Sequence, residues 1–251
     1  MGNTNAKRIG WIDDIKIVAG LLMLLDHILL YSGSADSWPR YTITRCVEPL
    51  YVFAFGYLVS VNPRSFSLHR WLQVVIAAIL EFAIHSHREG ELYLGILANM
   101  VVVIPLAPWI VGLPSPWLRV LAIAGFGLAA LPMDLPGVHL DYGLPLVIAQ
   151  VAWASLAAGN WNRAISTVVI GWSVSFVAAA IVITAFTASC ENFWTLIVGH
   201  PFALTAICLV RRFPSFPCWI HQWHCIRLIT RAPLRFYTGH LAVLHCLSIA
   251  M

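Results

Sequence analysis

Long apolar stretches, separated by short polar or Gly- and Pro-containing breaks, run along the chain from residue 12 to residue 251. Crossing the hydrocarbon of a bilayer takes about 20 helical residues. On that measure the stretches predict spans near 12–32, 46–61, 70–87, 92–112, 117–132, 141–158, 164–189, 193–210 and 234–251. The runs are continuous, whereas a membrane barrel would show alternating segments of ~10 residues. Loops are short and no internal repeat is visible, so residues 1–251 read as one transmembrane domain with no soluble domain attached. The expected fold is all-α, a polytopic integral membrane bundle of about nine transmembrane helices, within a range of eight to ten.

Composition agrees with that pattern. Hydrophobic residues make up 60% of the chain and charged residues 10%, and the mean hydropathy is +0.80, which excludes an ordinary water-soluble domain, disorder, collagen and coiled coil. The 11 Trp, 12 Phe and 7 Tyr supply anchors for membrane interfaces. A net charge of +4 does not point to nucleic acid, because the basic residues occur singly or in pairs between apolar runs. Cys46, Cys190, Cys208, Cys218, Cys225 and Cys246 form no CxxC pair and mostly sit inside apolar runs, so no disulfide framework is expected. Lys7 and Arg8 precede an apolar run, but that run carries Asp13, Asp14 and Lys16 and lacks a cleavage site, so it reads as a retained first helix. Ala6 stands where a myristoylation signal wants Ser or Thr.

Lys and Arg in short loops set the orientation of such a bundle. With the N-terminus in the cytoplasm, the inner segments hold Lys7, Arg8, Arg64, Arg70, Arg119, Arg163, Arg211, Arg212, Arg227, Arg231 and Arg235, and the outer ones only Arg40, Arg45 and Arg88. The stretch 213–233 mixes Trp, His and Arg and reads as an interfacial amphipathic helix on the cytoplasmic side.

A charge at the bilayer centre costs about 2.5–3.5 kcal/mol on insertion scales, so ionisable groups inside the apolar runs are the candidates for chemistry. Lys16 and His27 are eleven residues apart. At 100° per residue this is three turns plus about 20°, which aligns them with Gly20 and Met23 on one stripe of the first span. Asp26 sits beside His27 and can orient a ring or partner a cation. In the last span Tyr237 and His240 share a face. Asp141 and Tyr142 head the sixth span, where the carboxylate suits a helix N-cap. Glu81 with His85, and Glu48 with Arg45, read as structural pairs. Cys218, His221, His224 and Cys225 crowd one short segment, but no second ligand cluster of familiar spacing accompanies them, and no metal is expected. Phosphate-loop, GxSxG and HExxH motifs are absent.

Four segments in order, Ile15–His27, Pro49–Phe55, Asp141–Gly143 and Phe236–Leu241, resemble the TraX family of conjugative pilin acetylases, and the match covers most of the chain. The Lys16-x10-His27 spacing is also similar to the Arg-x10-His motif of the acyltransferase-3 membrane proteins. This chain departs from the family at Thr238, where the closing motif usually has proline, and over Asn62–Arg70, which matches only loosely. The resemblance implies transfer of an acetyl group from acetyl-CoA to the N-terminal amine of a membrane-held pilin subunit, by a multi-pass protein of the bacterial inner membrane.

That reading assigns His27 as general base, or as transient acyl carrier, with Asp26 supporting it. His240 and Tyr237 would polarise the thioester carbonyl or donate to the oxyanion. Lys16 would bind the CoA phosphates beside Arg70 and Arg231, with Arg45, Asp141 and Tyr142 completing the substrate-binding set. The topology puts His27 in the outer half and His240 near the inner end, so the two meet only if the last span is broken or shifted, which Pro233 and Gly239 allow. Alternatives are an acyltransferase acting on a lipid, sugar or small metabolite, a proton-coupled transporter of a small solute, and a non-catalytic assembly subunit. The sequence is compatible with a homo-oligomer and does not set the oligomeric state.

Overall fold

The computed structural model describes residues 10–32, 46–62, 67–89, 92–129, 138–140, 143–186, 199–213, 226, 229 and 232–250. Along them run α1 (Gly10–Tyr31), α2 (Val47–Val61), α3 (Leu68–Glu89), β1 (Leu92–Leu94), α4 (Ile96–Val111), α5 (Ser115–Leu128), β2 (Val138–Leu140), α6 (Leu144–Gly159), α7 (Trp161–Phe186), α8 (His200–Arg212) and α9 (Pro233–Ala250). These nine α-helices fall one for one on the apolar runs. Among the described residues the fold is helical, with one departure: β1 and β2 pair in parallel, Leu92 opposite Val138 and Leu94 opposite Leu140. Residues 92–94 therefore do not open the fourth helix. Their partner strand lies far along the chain, where a local apolar pattern carries no trace of it, and extended Gly95 (φ −78°, ψ −172°) separates β1 from α4.

The core is built around α6, which is apolar on every side and therefore suits a central position. From Leu146 to Ala157 nearly every residue is buried, Trp153 and Gln150 included. It packs against α2, α4, α5 and α7. Two glycines permit the closest approaches. A Cβ on Gly125 of α5 would lie 2.6 Å from the Pro145 carbonyl oxygen and 2.8 Å from Ala149 Cβ, and one on Gly56 of α2 would lie 3.0 Å from Val151 Cα. Asn160 alone joins α6 to α7. Its N–H bonds the Leu156 carbonyl at 2.6 Å, and its Oδ1 accepts the Arg163 N–H at 3.0 Å, which caps α7.

Side-chain contacts set the helix directions. Trp11 meets Tyr57 while Met23 packs near Val47, so α1 and α2 are antiparallel. His27 meets His240 and Tyr31 meets His245, so α1 and α9 are parallel. Arg211, in the last turn of α8, stacks 4.1 Å above the ring of Trp161 and 5.8 Å from that of Trp11, and Arg163 donates to Ser115 Oγ at 2.8 Å. The starts of α1, α5 and α7 and the end of α8 thus share one basic end of the molecule. Tyr31 and His87 lie at the opposite end.

Among the described residues, two helical segments, Leu68–His87 and Trp161–Ile181, are long and apolar enough to cross a membrane. The apolar helices α2, α4, α5 and α6 have 15, 16, 14 and 16 residues. Sixteen residues rise about 24 Å, less than the ~30 Å of hydrocarbon. Length and composition therefore identify two candidate membrane-crossing helices where the apolar runs predict nine.

Candidate active site

The predicted stripe of α1 faces inward, with Gly20, Met23 and His27 all buried. Gly20 is required for this approach, since a Cβ there would lie 2.6 Å from Ile229 Cγ2 and 3.1 Å from the Tyr51 hydroxyl. At the far end of the stripe, His27 Nδ1 lies 2.6 Å from His240 Nε2, with ring centroids 4.8 Å apart and planes 30° from parallel. His240 Nδ1 lies 2.7 Å from the Phe236 carbonyl oxygen. A carbonyl only accepts, so His240 carries its proton on Nδ1 and, when neutral, presents a lone pair at Nε2. His27 Nδ1–H donates to that lone pair. The neutral His27 ring then carries its own lone pair at Nε2, the atom suited to take a proton from a substrate.

Beside this pair, the Tyr237 hydroxyl donates to Glu81 Oε1, and the Leu97 N–H donates to Glu81 Oε2 at 3.2 Å. Glu81 is 3% exposed and sits against the N-terminus of α4, where the helix dipole favours a carboxylate. Gly95 leaves room for it, because a Cβ there would fall 2.5 Å from the Glu81 carboxyl carbon. The Tyr237 ring centroid is 5.7 Å from that of His27 and 5.8 Å from that of His240, and buried His85 lies 6.4 Å from His27.

The meeting of His27 with His240 resolves the conflict in depth between the first and last spans. Ile226 and Ile229 are buried against Ile17 of α1, so the chain is already alongside α1 before α9 begins at Pro233. His240 is thereby displaced along α1 to the level of His27. Within the 213–233 stretch, Ile226 and Ile229 thus pack on α1.

Of the expected site, His27, His240 and Tyr237 come together, and half-buried Asp26 adjoins them in α1. Both ring nitrogens of His240 are engaged, and the Tyr237 hydroxyl donates to Glu81. Lys16 is half-buried and pairs with Asp13 one turn back, Nζ to Oδ1 at 3.2 Å, which compensates its charge within α1. Arg70 is exposed in the first turn of α3, its N–H bonded to Ser67 Oγ at 3.3 Å. Arg45, Asp141, Tyr142, Arg231 and the Cys218–Cys225 cluster lie outside the described residues. Among the described residues no group of three or more His, Cys, Asp or Glu side chains is placed to hold a metal ion.

Sequence reasoning set Glu81 and His85 aside as a structural pair, although an ionisable group in an apolar helix is itself the signal that marks them. It also passed over a second polar cluster. Gln150 Nε2 donates to Glu48 Oε2 at 2.8 Å and lies 3.0 Å from His200 Nε2, and all three residues are buried. No family model, curated protein or solved structure matches the chain.

Proposed function

We propose that the chain is a multi-pass acetyltransferase of the bacterial inner membrane, taking acetyl-CoA as donor and the N-terminal amine of a membrane-held pilin subunit as acceptor, with His27 as general base. The observation that carries this reading is the hydrogen bond between buried His27 and half-buried His240, side chains 213 residues apart. The pilin acceptor and acetyl-CoA rest on the family resemblance. The membrane placement draws on the apolar runs and on exposed Leu68, Leu72, Ile76 and Ile79, which line one face of α3 as a lipid-facing stripe would. Exposed Arg163, Arg211 and Arg212 at the basic end would draw the anionic donor toward that end.

In this mechanism the neutral amine attacks the thioester carbonyl carbon, and charge develops on the carbonyl oxygen. The nitrogen gives a proton to His27 Nε2. The resulting imidazolium keeps its Nδ1–H on His240, which holds the ring in one orientation through the step. The C–S bond then breaks, and His27 returns the proton to the departing sulfur. An amine with a pKa of ~7.7–8.0 is partly neutral at physiological pH. For an amine that arrives neutral, the one proton that moves is of the kind an imidazole can accept and return.

The test is acetyl-CoA binding by calorimetry and CoA thiol release in the detergent-purified protein, wild type beside His27→Ala. Binding by both, with thiol release lower by roughly 10²–10⁴-fold in the variant, is expected. Near-normal release by a folded variant would remove the base assignment, and absence of binding would remove the donor. In the second case the Glu48–Gln150–His200 cluster favours the proton-coupled carrier reading, since buried ionisable groups of this kind serve proton relays in transporters.

A further inference from the structure

Five of the chain's 10 histidines, His27, His85, His87, His240 and His245, gather at the end of the molecule away from Arg211. They come from three helices. Beyond the His27–His240 pair, the Tyr31 ring lies 6.3 Å from that of His245, and His245 lies 5.6 Å from His87, edge to face at 88°. Tyr31 is one turn above His27 on the same face of α1, and His245 is little more than a turn above His240 on α9. Exposure rises along this order, from His27 at 6% through half-buried His245 to exposed His87. From this we infer that Tyr31, His245 and His87 conduct protons between the His27–His240 pair and the surface at that end.

The inference rests on the acetyltransferase reading, which creates a need for such a path. An amine of pKa ~7.7–8.0 arrives mostly as ammonium at pH 7, and one N–H bond must break before the nitrogen can attack. That proton goes to His27 and must leave before His27 can accept the second proton, the one it later returns to the thiolate. Imidazoles exchange protons near neutrality, and ordered water bridges polar groups too far apart for a direct bond. Towards this end of the packed elements the other ionisable groups are Asp26 on α1, Glu48 and Tyr51 on α2, Glu81, His85, Arg88 and Glu89 on α3, Tyr93 on β1, His200 on α8, and Tyr237 and Cys246 on α9, and α4 has none. Glu81 holds the Tyr237 proton, so that pair is not the exit.

The experiment measures acetyl transfer by His87→Ala, His245→Ala and the double variant in weak buffer, with and without added imidazole, from pH 6 to pH 9. Below the amine pKa we expect turnover to fall by roughly 10- to 100-fold, imidazole to restore it, and the deficit to vanish near pH 9, where the amine is already neutral. Wild type should not respond to imidazole. Wild-type rates in weak buffer, or a deficit that imidazole does not relieve, would overturn the path. Should wild type itself transfer no acetyl group, the function fails and the path is judged separately, by hydrogen–deuterium exchange at the His27 ring N–H. Slower exchange in His87→Ala, reversed by imidazole, would support it, and unchanged exchange would overturn it.

Discussion

Two imidazoles in direct hydrogen bond cannot both offer a lone pair outward, and here the Phe236 carbonyl decides which one does. The His240 side chain thus sets the His27 tautomer. His240→Gln places an amide oxygen where His27 Nδ1–H can still donate, whereas His240→Ala removes the acceptor. We expect kcat to fall by roughly 10²-fold or more in the Ala variant, within the range lost when a general base is misdirected, and by much less in the Gln variant. Equal losses in both would mean that the ring serves packing alone. Tyr237→Phe removes a donor from the 3% exposed Glu81 carboxylate and should lower thermal stability by about 1–3 kcal/mol, readable as a shift in the melting midpoint.

Helix pairs in this protein are set by where a side chain is missing as much as by where one is present. Gly125→Ala would push a methyl group to 2.6 Å from the Pro145 carbonyl oxygen, backbone that cannot yield as a flexible side chain does. Overpacking of this kind costs about 1–3 kcal/mol, and a loss of stability with site geometry intact is expected. Gly95→Ala acts differently, because its Cβ would meet the Glu81 carboxyl group. That variant should lose the Leu97 and Tyr237 hydrogen bonds and reduce acetyl transfer together with stability; an active, stable Gly95→Ala protein would show that Glu81 is not needed where it sits. The pairing of α1 with α9 was not legible from either helix alone. Depth counted from the start of each span put His27 and His240 at opposite ends, and only the burial of Ile226 and Ile229 on α1 reveals the offset.

The two ends of the bundle differ in chemistry, with Trp11, Arg163, Arg211 and Trp161 at one and Tyr31, His87 and His245 at the other. The count of Lys and Arg in loops anticipates this polarity, and the helix directions agree with it. A cysteine placed at exposed Ser32 should react with a membrane-impermeant thiol reagent in intact spheroplasts, and one at Leu113, in the turn between α4 and α5, only in inverted vesicles. The background for both is a variant lacking exposed Cys246. Labelling of both positions from one side would remove the membrane-crossing arrangement.

The periodicity and length of the apolar runs determined that the chain is helical, where its helices lie and which end is basic, because those properties are local to each segment and its flanking charges. His27, Asp26, Tyr237 and His240 were legible as candidates for the same reason, since an ionisable residue in an apolar run is conspicuous by itself. The tertiary structure decided which of them meet, which atom of which ring carries the proton, and that Glu81, His85 and Gln150 belong to buried polar clusters. It also decided the β1–β2 pairing. Each of these depends on contacts between residues far apart in the chain, and a carboxylate in an apolar helix reads the same whether its partner is one turn away or 156 residues away.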